Sequence, residues 1–266
     1  MDTNLTAQTA VAAQEKTATV LQFIMREVAD SHTLELFKWR IELPAWLTVH
    51  GVMAILAGAI LITVVWAAAR RKDPVPSGLS NVVELFVLFI RDHICVPYLG
   101  KVDGYRMTPL FCSFFFFILT MNLMGLVPVF RAATSDVNVT AALAVASMFF
   151  MIFGAIYRCG FGAFLKSFVP SGVPWPVLIV VVPIEFVSMF IKVFALAIRL
   201  FANMLAGHIV ILSLLGMVVI FGYVAAPVVV MAVGIYILEV FIALLQAYIF
   251  TLLSAIFIGQ RYHPAH

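Results

Sequence analysis

Long apolar runs separated by short polar segments dominate the chain. The runs at 46–69, 108–130 and 139–157 are each close to the ~20 residues that an α-helix needs to cross a hydrocarbon core about 30 Å thick. Residues 1–45 are mostly polar. The pattern therefore predicts three membrane-crossing helices in a membrane domain, 46–266, preceded by a polar tail.

The last third of the chain contains two apolar stretches that are much longer, at 177–221 and 228–258. The first has no glycine or proline near its middle, so a single helix of about 67 Å is expected. The second would form about 46 Å of helix. Because Gly222 and Pro227 separate them, we predict a hairpin of two long, steeply tilted helices.

Charged side chains interrupt the apolar segment at 79–97. Its uncharged stretch, Leu85–Ile90, is far too short to span a bilayer. This mixture favours an amphipathic helix at the membrane interface. The predicted fold is therefore an all-α polytopic membrane protein with about five crossings and one interfacial helix.

Composition supports the same class. Hydrophobic residue types make up 64% of the 266 residues and charged types only 11%, whereas soluble domains have about 25% charged residues. Disordered chains are poor in apolar residues, so the high apolar content also excludes a disordered protein. The basic residues are dispersed, so no nucleic-acid partner is expected. The three cysteines lack metal-binding spacing, and no metal or cofactor is expected.

The distribution of lysine and arginine predicts the orientation. Six of them lie between the first two spans, and Arg158 and Lys166 lie between the third and fourth, whereas the intervening loop has only Arg131. Positively charged loops stay on the inner side. We therefore predict that the N-terminal tail is outside and the C-terminus inside.

Five charged or titratable residues lie within the long apolar stretches. A charged side chain at mid-membrane costs about 2.5–3.5 kcal/mol on insertion scales, and such residues commonly mark transport paths. The five residues are Glu185, Lys192, Arg199, His208 and Glu239.

Helical geometry places Glu185, Lys192 and Arg199 within about 40° of one another, in one stripe. Asn203 joins this stripe one turn beyond Arg199. Glu185 is about 21 Å from Arg199 along the axis, too far for an ion pair. The counter-charge of this permanently charged arginine is therefore expected on another subunit.

Folding the predicted hairpin about its turn places His208 opposite Glu239 and predicts that the two side chains pair. It leaves Arg199 within about one helical turn of Gln246. Structural roles stay open as alternatives. His208 could be a core histidine, and Asn203 and Gln246 could be interhelical hydrogen-bonding residues.

The segment Arg-Leu-Phe-Ala-Asn-Met-Leu-Ala-Gly-His at 199–208 resembles the signature of subunit a of the F-type ATP synthases. The resemblance continues in four further segments. These are Pro183-Ile-Glu185, 238–250 with Glu239 and Gln246, Met121–Pro128 and Ser135–Thr140.

The resemblance implies a role for each matching residue. Arg199 corresponds to the essential arginine that faces a ring of c subunits. Asn203, His208, Glu239 and Gln246 correspond to residues of the proton half-channel open to the outside. Glu185 corresponds to the acid of the half-channel toward the inside, and Lys192 has no assigned role.

The resemblance also implies a proton-translocating stator subunit that is not catalytic on its own. The expected partners are the c-subunit ring, the peripheral-stalk b subunits and the rest of the ATP synthase. The expected location is a bacterial inner membrane rather than a mitochondrial one.

Two other functions were weighed against this one. A stand-alone secondary ion transporter should have inverted repeats and broken helices around a midplane site, and the sequence has neither. A haem- or quinone-binding respiratory subunit is disfavoured because only His50 and His208 lie in the predicted spans.

Overall fold

A computed structural model describes most of the chain beyond residue 47. The described residues are 18–19, 22, 33–36, 39–42, 48–70, 78–127, 130, 132–166, 168–169, 175–222 and 226–262. Most of the 1–45 tail lies outside these ranges, so its predicted position stays a prediction.

The membrane domain is helical throughout its described length. Its elements are α1 (Val49–Ala69), α2 (Leu79–Ile90), a π-helical turn (Arg91–Cys95), α3 (Val96–Leu126), a 3-10 turn (Ala133–Ser135), α4 (Val137–Cys159), α5 (Phe161–Lys166), α6 (Trp175–Phe221) and α7 (Ala226–Tyr262). Five helical segments of the described chain are long and apolar enough to cross a membrane. The prediction of a polytopic helical protein with five crossings is confirmed.

A short β-hairpin in the N-terminal segment was not predicted. Strand β1 (Thr33–Leu36) pairs antiparallel with β2 (Trp39–Glu42), and Thr33 lies opposite Glu42. The all-α description therefore applies to the membrane domain and not to the tail.

The chain reverses direction at Gly100, whose φ of 79° interrupts α3 near its start. Beyond this point Gly104 packs against the backbone of Cys95. Farther along, the ring centroids of Phe86 and Phe115 are 5.4 Å apart. The segment predicted as a separate interfacial helix thus continues through the π-helical turn as far as Gly100. The part of α3 after Gly100 then packs antiparallel against it. Its position relative to the membrane surface stays a prediction.

Helix α3 differs in its bounds from the span predicted at 108–130. It begins twelve residues earlier, at Val96, and ends at Leu126. Residues 96–99 lie before the reversal at Gly100, so the helix that corresponds to the predicted span begins after Gly100. This helix still starts before the apolar run, because a helical backbone does not require apolar side chains and accommodates the charged residues Lys101 and Arg106.

The two long helices form the predicted hairpin. Helix α6 has 47 residues and α7 has 37, which correspond to about 70 Å and 55 Å of helix. Gly222, with a φ of 60°, follows the end of α6. A hydrogen bond between Asn203 and Gln246 connects the two helices in antiparallel register. The tilt of the hairpin in the membrane stays a prediction.

Helix α3 covers much of one side of this hairpin. It packs along α7, while α4 packs against both α6 and α7. Large buried side chains from α3 and α7, such as Phe111, Phe115 and Phe250, form the centre of the apolar core. Polar side chains in α3 can therefore reach the hairpin without contacting lipid.

Candidate functional site

Glu239 lies in the half of the hairpin nearest its turn, and the residue is only 7% exposed. It occupies the space that a side chain at Gly207 would fill, since a Cβ built on Gly207 would overlap the Glu239 carboxylate. A glycine at this position of α6 therefore creates the space for a buried acid on α7.

His208 and Glu239 do not form the predicted pair. Within the described part of the chain, His208 Nε2 and Glu239 Oε2 are both buried and have no hydrogen-bond partner. The register of the hairpin brings Gly207, rather than His208, against Glu239. Because successive helical residues differ by about 100° in direction, this shift of one residue turns His208 toward Gly125 on α3.

Asn203 and Gln246 are brought together across the hairpin. Asn203 Nδ2 donates to Gln246 Oε1 over 2.8 Å. The side chain of Gln246 is only 1% exposed, and its Nε2 has no hydrogen-bond partner among the described residues. The two amides thus connect the exposed side of α6, where Asn203 lies, with the buried interior of the hairpin.

Arg199 lies one turn before Asn203 and is exposed. No carboxylate of the described residues forms an ion pair with it. Exposed apolar side chains precede it on the same helix, among them Ile191, Phe194 and Ile198. The arginine therefore lies at the edge of an apolar surface with no counter-charge from the described chain.

Glu185 and Lys192 lie in the half of the hairpin farthest from its turn, and both are partly exposed. Lys192 Nζ donates to Gln260 Oε1 over 3.2 Å and lies 5.6 Å from the centre of the Phe257 ring. These contacts account for Lys192 as a link between α6 and α7, a role that the sequence did not predict.

A second pair of buried polar residues borders α7 between Glu239 and Gln246. Asn122 Nδ2 lies 3.4 Å from the carbonyl oxygen of Ala243, and Thr134 Oγ1 donates to Asn122 Oδ1 over 2.8 Å. Neither residue had a role in the site predicted from the sequence. Asn122 nevertheless lies within Met121–Pro128, one of the segments that carry the resemblance. An asparagine inside an apolar run could have indicated a buried polar contact.

His50 in the first turn of α1 is a further buried polar residue, for which the sequence predicted no role in the site. It is 2% exposed, and its Nδ1 is 3.0 Å from the carbonyl oxygen of Ala132. Asp136 follows in the same turn region, where its Oδ1 accepts from the Asn138 backbone N–H. Its Oδ2 is buried and has no hydrogen-bond partner in the part of the chain that is described.

These features define a multi-pass membrane protein in which a long helical hairpin combines buried acid, imidazole and amide groups with an exposed arginine. Comparison with known proteins gives the same result. A family model described as ATP synthase A chain matches residues 51–259. The chain belongs to this family, as the resemblance predicted.

Curated relatives carry the corresponding name, ATP synthase subunit a. The relative from Anaeromyxobacter sp. (strain Fw109-5) is 46% identical over 218 residues, covering 80% of this chain and 53% of its own length. The relative from Chloroherpeton thalassium is 46% identical over 223 residues, with 80% and 66% covered. That from Myxococcus xanthus is 41% identical over 227 residues, with 83% and 74% covered. The chain thus spans little more than half the length of some of these relatives.

Proposed function

We propose that this chain is the proton-translocating stator subunit of an F-type ATP synthase. The single observation that carries the proposal is Arg199, which is exposed beside an apolar surface without an ion pair among the described residues. A permanently charged group is costly in lipid. It becomes stable when a carboxylate on a neighbouring subunit faces it, as a ring of c subunits would supply.

The proton path from the outside runs through the buried groups near the turn of the hairpin. Glu239 and His208 receive a proton, and Asn203 and Gln246 line its way toward the level of Arg199. Histidine suits this role because it exchanges protons near neutral pH. The unpartnered atoms of His208 and Glu239 support it, since buried polar groups are ordinarily hydrogen-bonded.

Protonation of a ring carboxylate removes its charge and lets it move into lipid at low cost. After nearly a full rotation, another ring carboxylate releases its proton into the path that contains Glu185. Arg199 cannot deprotonate. It attracts each ionised carboxylate and prevents protons from passing directly between the two half-channels.

The partners follow from this mechanism. The ring packs against the apolar surface around Arg199, and the peripheral-stalk b subunits hold this chain against rotation. ATP is made elsewhere in the complex, so the chain is not catalytic on its own. We place it in a bacterial inner membrane. Helix α6 continues without a break past Glu185 and Arg199, which does not suit the broken helices of a stand-alone transporter.

The test is Arg199→Ala in the intact ATP synthase reconstituted into vesicles. We expect ATP-driven acidification to fall to background and the passive proton leak to rise, because the barrier between the half-channels is removed. Arg106→Ala is the matched control, since Arg106 is an exposed arginine on α3. Retained pumping in Arg199→Ala without a leak would falsify the proposal.

A further inference from the structure

We propose that His50, in the first turn of α1, is an additional residue of the outer proton path and exchanges protons with His208. The inference rests on the proposed function, because it extends the path that contains His208 and Glu239. It adds the first helix of the membrane domain to a path otherwise built from α6 and α7.

The hydrogen bond of His50 determines which of its nitrogens can accept a proton. Nδ1 lies 3.0 Å from the carbonyl oxygen of Ala132, and a carbonyl can only accept. Nδ1 therefore carries the hydrogen in the neutral ring, and Nε2 is the basic nitrogen. A single contact thus holds the ring in one orientation and one tautomer, as a proton relay requires.

His50 and His208 approach the same point from different parts of the chain. A Cβ built on Gly125 would lie 2.8 Å from Ala132 Cβ and 3.4 Å from His208 Nε2. Because the Ala132 carbonyl accepts from the His50 ring, both histidines border the small region around Gly125 and Ala132.

The surroundings favour a relay over a packing role. His208 Nε2 is buried and has no hydrogen-bond partner among the described residues, so it can receive or give a proton. Two neighbouring histidines cannot both stay charged at low cost, because like charges repel in a medium of low dielectric constant. A proton arriving at His50 therefore favours the transfer of the next one onward. Asp136, buried near the same turn, provides an acidic group on this side.

The orientation agrees with this order of transfer. His50 begins α1, Ala132 lies in the connection between α3 and α4, and both positions are on the predicted outer side. His208 lies about 14 Å from Arg199 along α6, also toward that side. His50 would therefore act before His208 in the inward direction.

The experiment compares His50→Gln with His93→Gln in the intact ATP synthase reconstituted into vesicles. Glutamine can still donate to the Ala132 carbonyl, but it cannot carry a proton. His93 is an exposed histidine in the π-helical turn and serves as the matched control. We expect proton transport to fall at least about tenfold in His50→Gln, a smaller minimum loss than the roughly hundredfold typical of a direct general acid or base, and to be unchanged in His93→Gln.

A second variant separates proton transfer from packing. In His50→Ala, added imidazole should restore transport, whereas thiazole, a ring of similar shape that stays unprotonated near neutral pH, should not. If His50→Gln fails to assemble, this comparison alone decides. Equal transport with imidazole and thiazole, or wild-type transport in His50→Gln, overturns the inference.

Glu239→Gln is measured in parallel to separate the role of His50 from that of the proposed outer proton path as a whole. If Glu239→Gln blocks transport while His50→Gln does not, only the role of His50 is wrong. If Glu239→Gln also transports protons normally, the proposed outer path itself is wrong.

Discussion

The two halves of the α6–α7 hairpin enclose their polar residues very differently. Near the turn, Glu239 and Gln246 are almost fully buried on α7, which packs along α3, while the 3-10 turn packs against α6. In the half farthest from the turn, Glu185 and Lys192 are partly exposed. Lys192 reaches Gln260 through a long, flexible side chain.

This difference indicates how each half of the proposed proton path is completed. The half near the turn has walls from α3 and the 3-10 turn, so this chain largely builds it alone. In the half farthest from the turn the polar side chains are partly exposed, and we expect a second subunit to enclose them. Substitutions should therefore act through defined internal contacts in the first half and be buffered by water in the second.

The largest effect that tests this comparison is expected from Glu239→Gln. The substitution keeps the shape of the buried acid but removes its ability to carry a proton, so transport should fall about a hundredfold. The measurement is ATP-driven acidification of vesicles over a range of pH. Glu84→Gln, at an exposed position of α2, is the control. An unchanged rate and pH profile would remove Glu239 from the path.

Gly207→Ala should also reduce transport strongly, although it changes no titratable group. The added methyl group occupies the space of the Glu239 carboxylate, and overpacking of this kind costs about 1–3 kcal/mol. We expect a loss of about tenfold, since 1.4 kcal/mol corresponds to a factor of ten. Gly234→Ala is the matched control, because a Cβ there meets nothing within 4 Å. Equal activities of the two variants would contradict a tightly enclosed site.

Glu185→Gln should have a smaller effect than Glu239→Gln. In an open half-channel, water can replace part of the function of one carboxylate. We therefore expect the transport rate to fall only severalfold, less than the hundredfold loss predicted for the buried acid. Proton release is measured in the same vesicles, again with Glu84→Gln as the control. A loss as large as that of Glu239→Gln would show that the two halves are equally closed.

The smallest effect is expected for the hydrogen bond between Asn203 and Gln246. Interhelical hydrogen bonds in membrane proteins contribute about 0.6 kcal/mol on average, which corresponds to roughly a threefold change in rate. The transport rates of Asn203→Ala, Gln246→Ala and the double variant form a double-mutant cycle. Strictly additive losses would mean that the contact seen between these amides does not couple them during transport.

The accuracy of the sequence predictions depended on how local each feature is. The hairpin was predicted correctly because run length, helical rise and the Gly222 interruption are all local properties. The pairing of His208 with Glu239 was wrong. It required the interhelical register to within one residue, and an error of that size rotates a side chain by about 100°.

The residues that were missed share one property. Asn122 lies 121 residues before Ala243, its neighbour on α7, and His50 lies 82 residues from the Ala132 carbonyl that it contacts. Each was visible as a polar residue in or beside an apolar run. Sequence spacing within one helix does not indicate which distant helix such a residue meets.

The sequence by itself determined that the chain is a membrane protein, that two of its helices are too long for a perpendicular crossing, and that Arg199 has no acid within reach on its own helix. These properties follow from hydrophobicity and from the fixed rise and turn of an α-helix. Only the tertiary structure decided that Gly207 makes room for Glu239, that His208 turns toward α3, and that the His50 ring contacts the Ala132 carbonyl. Such contacts depend on the register and packing of separate helices, which no local pattern specifies.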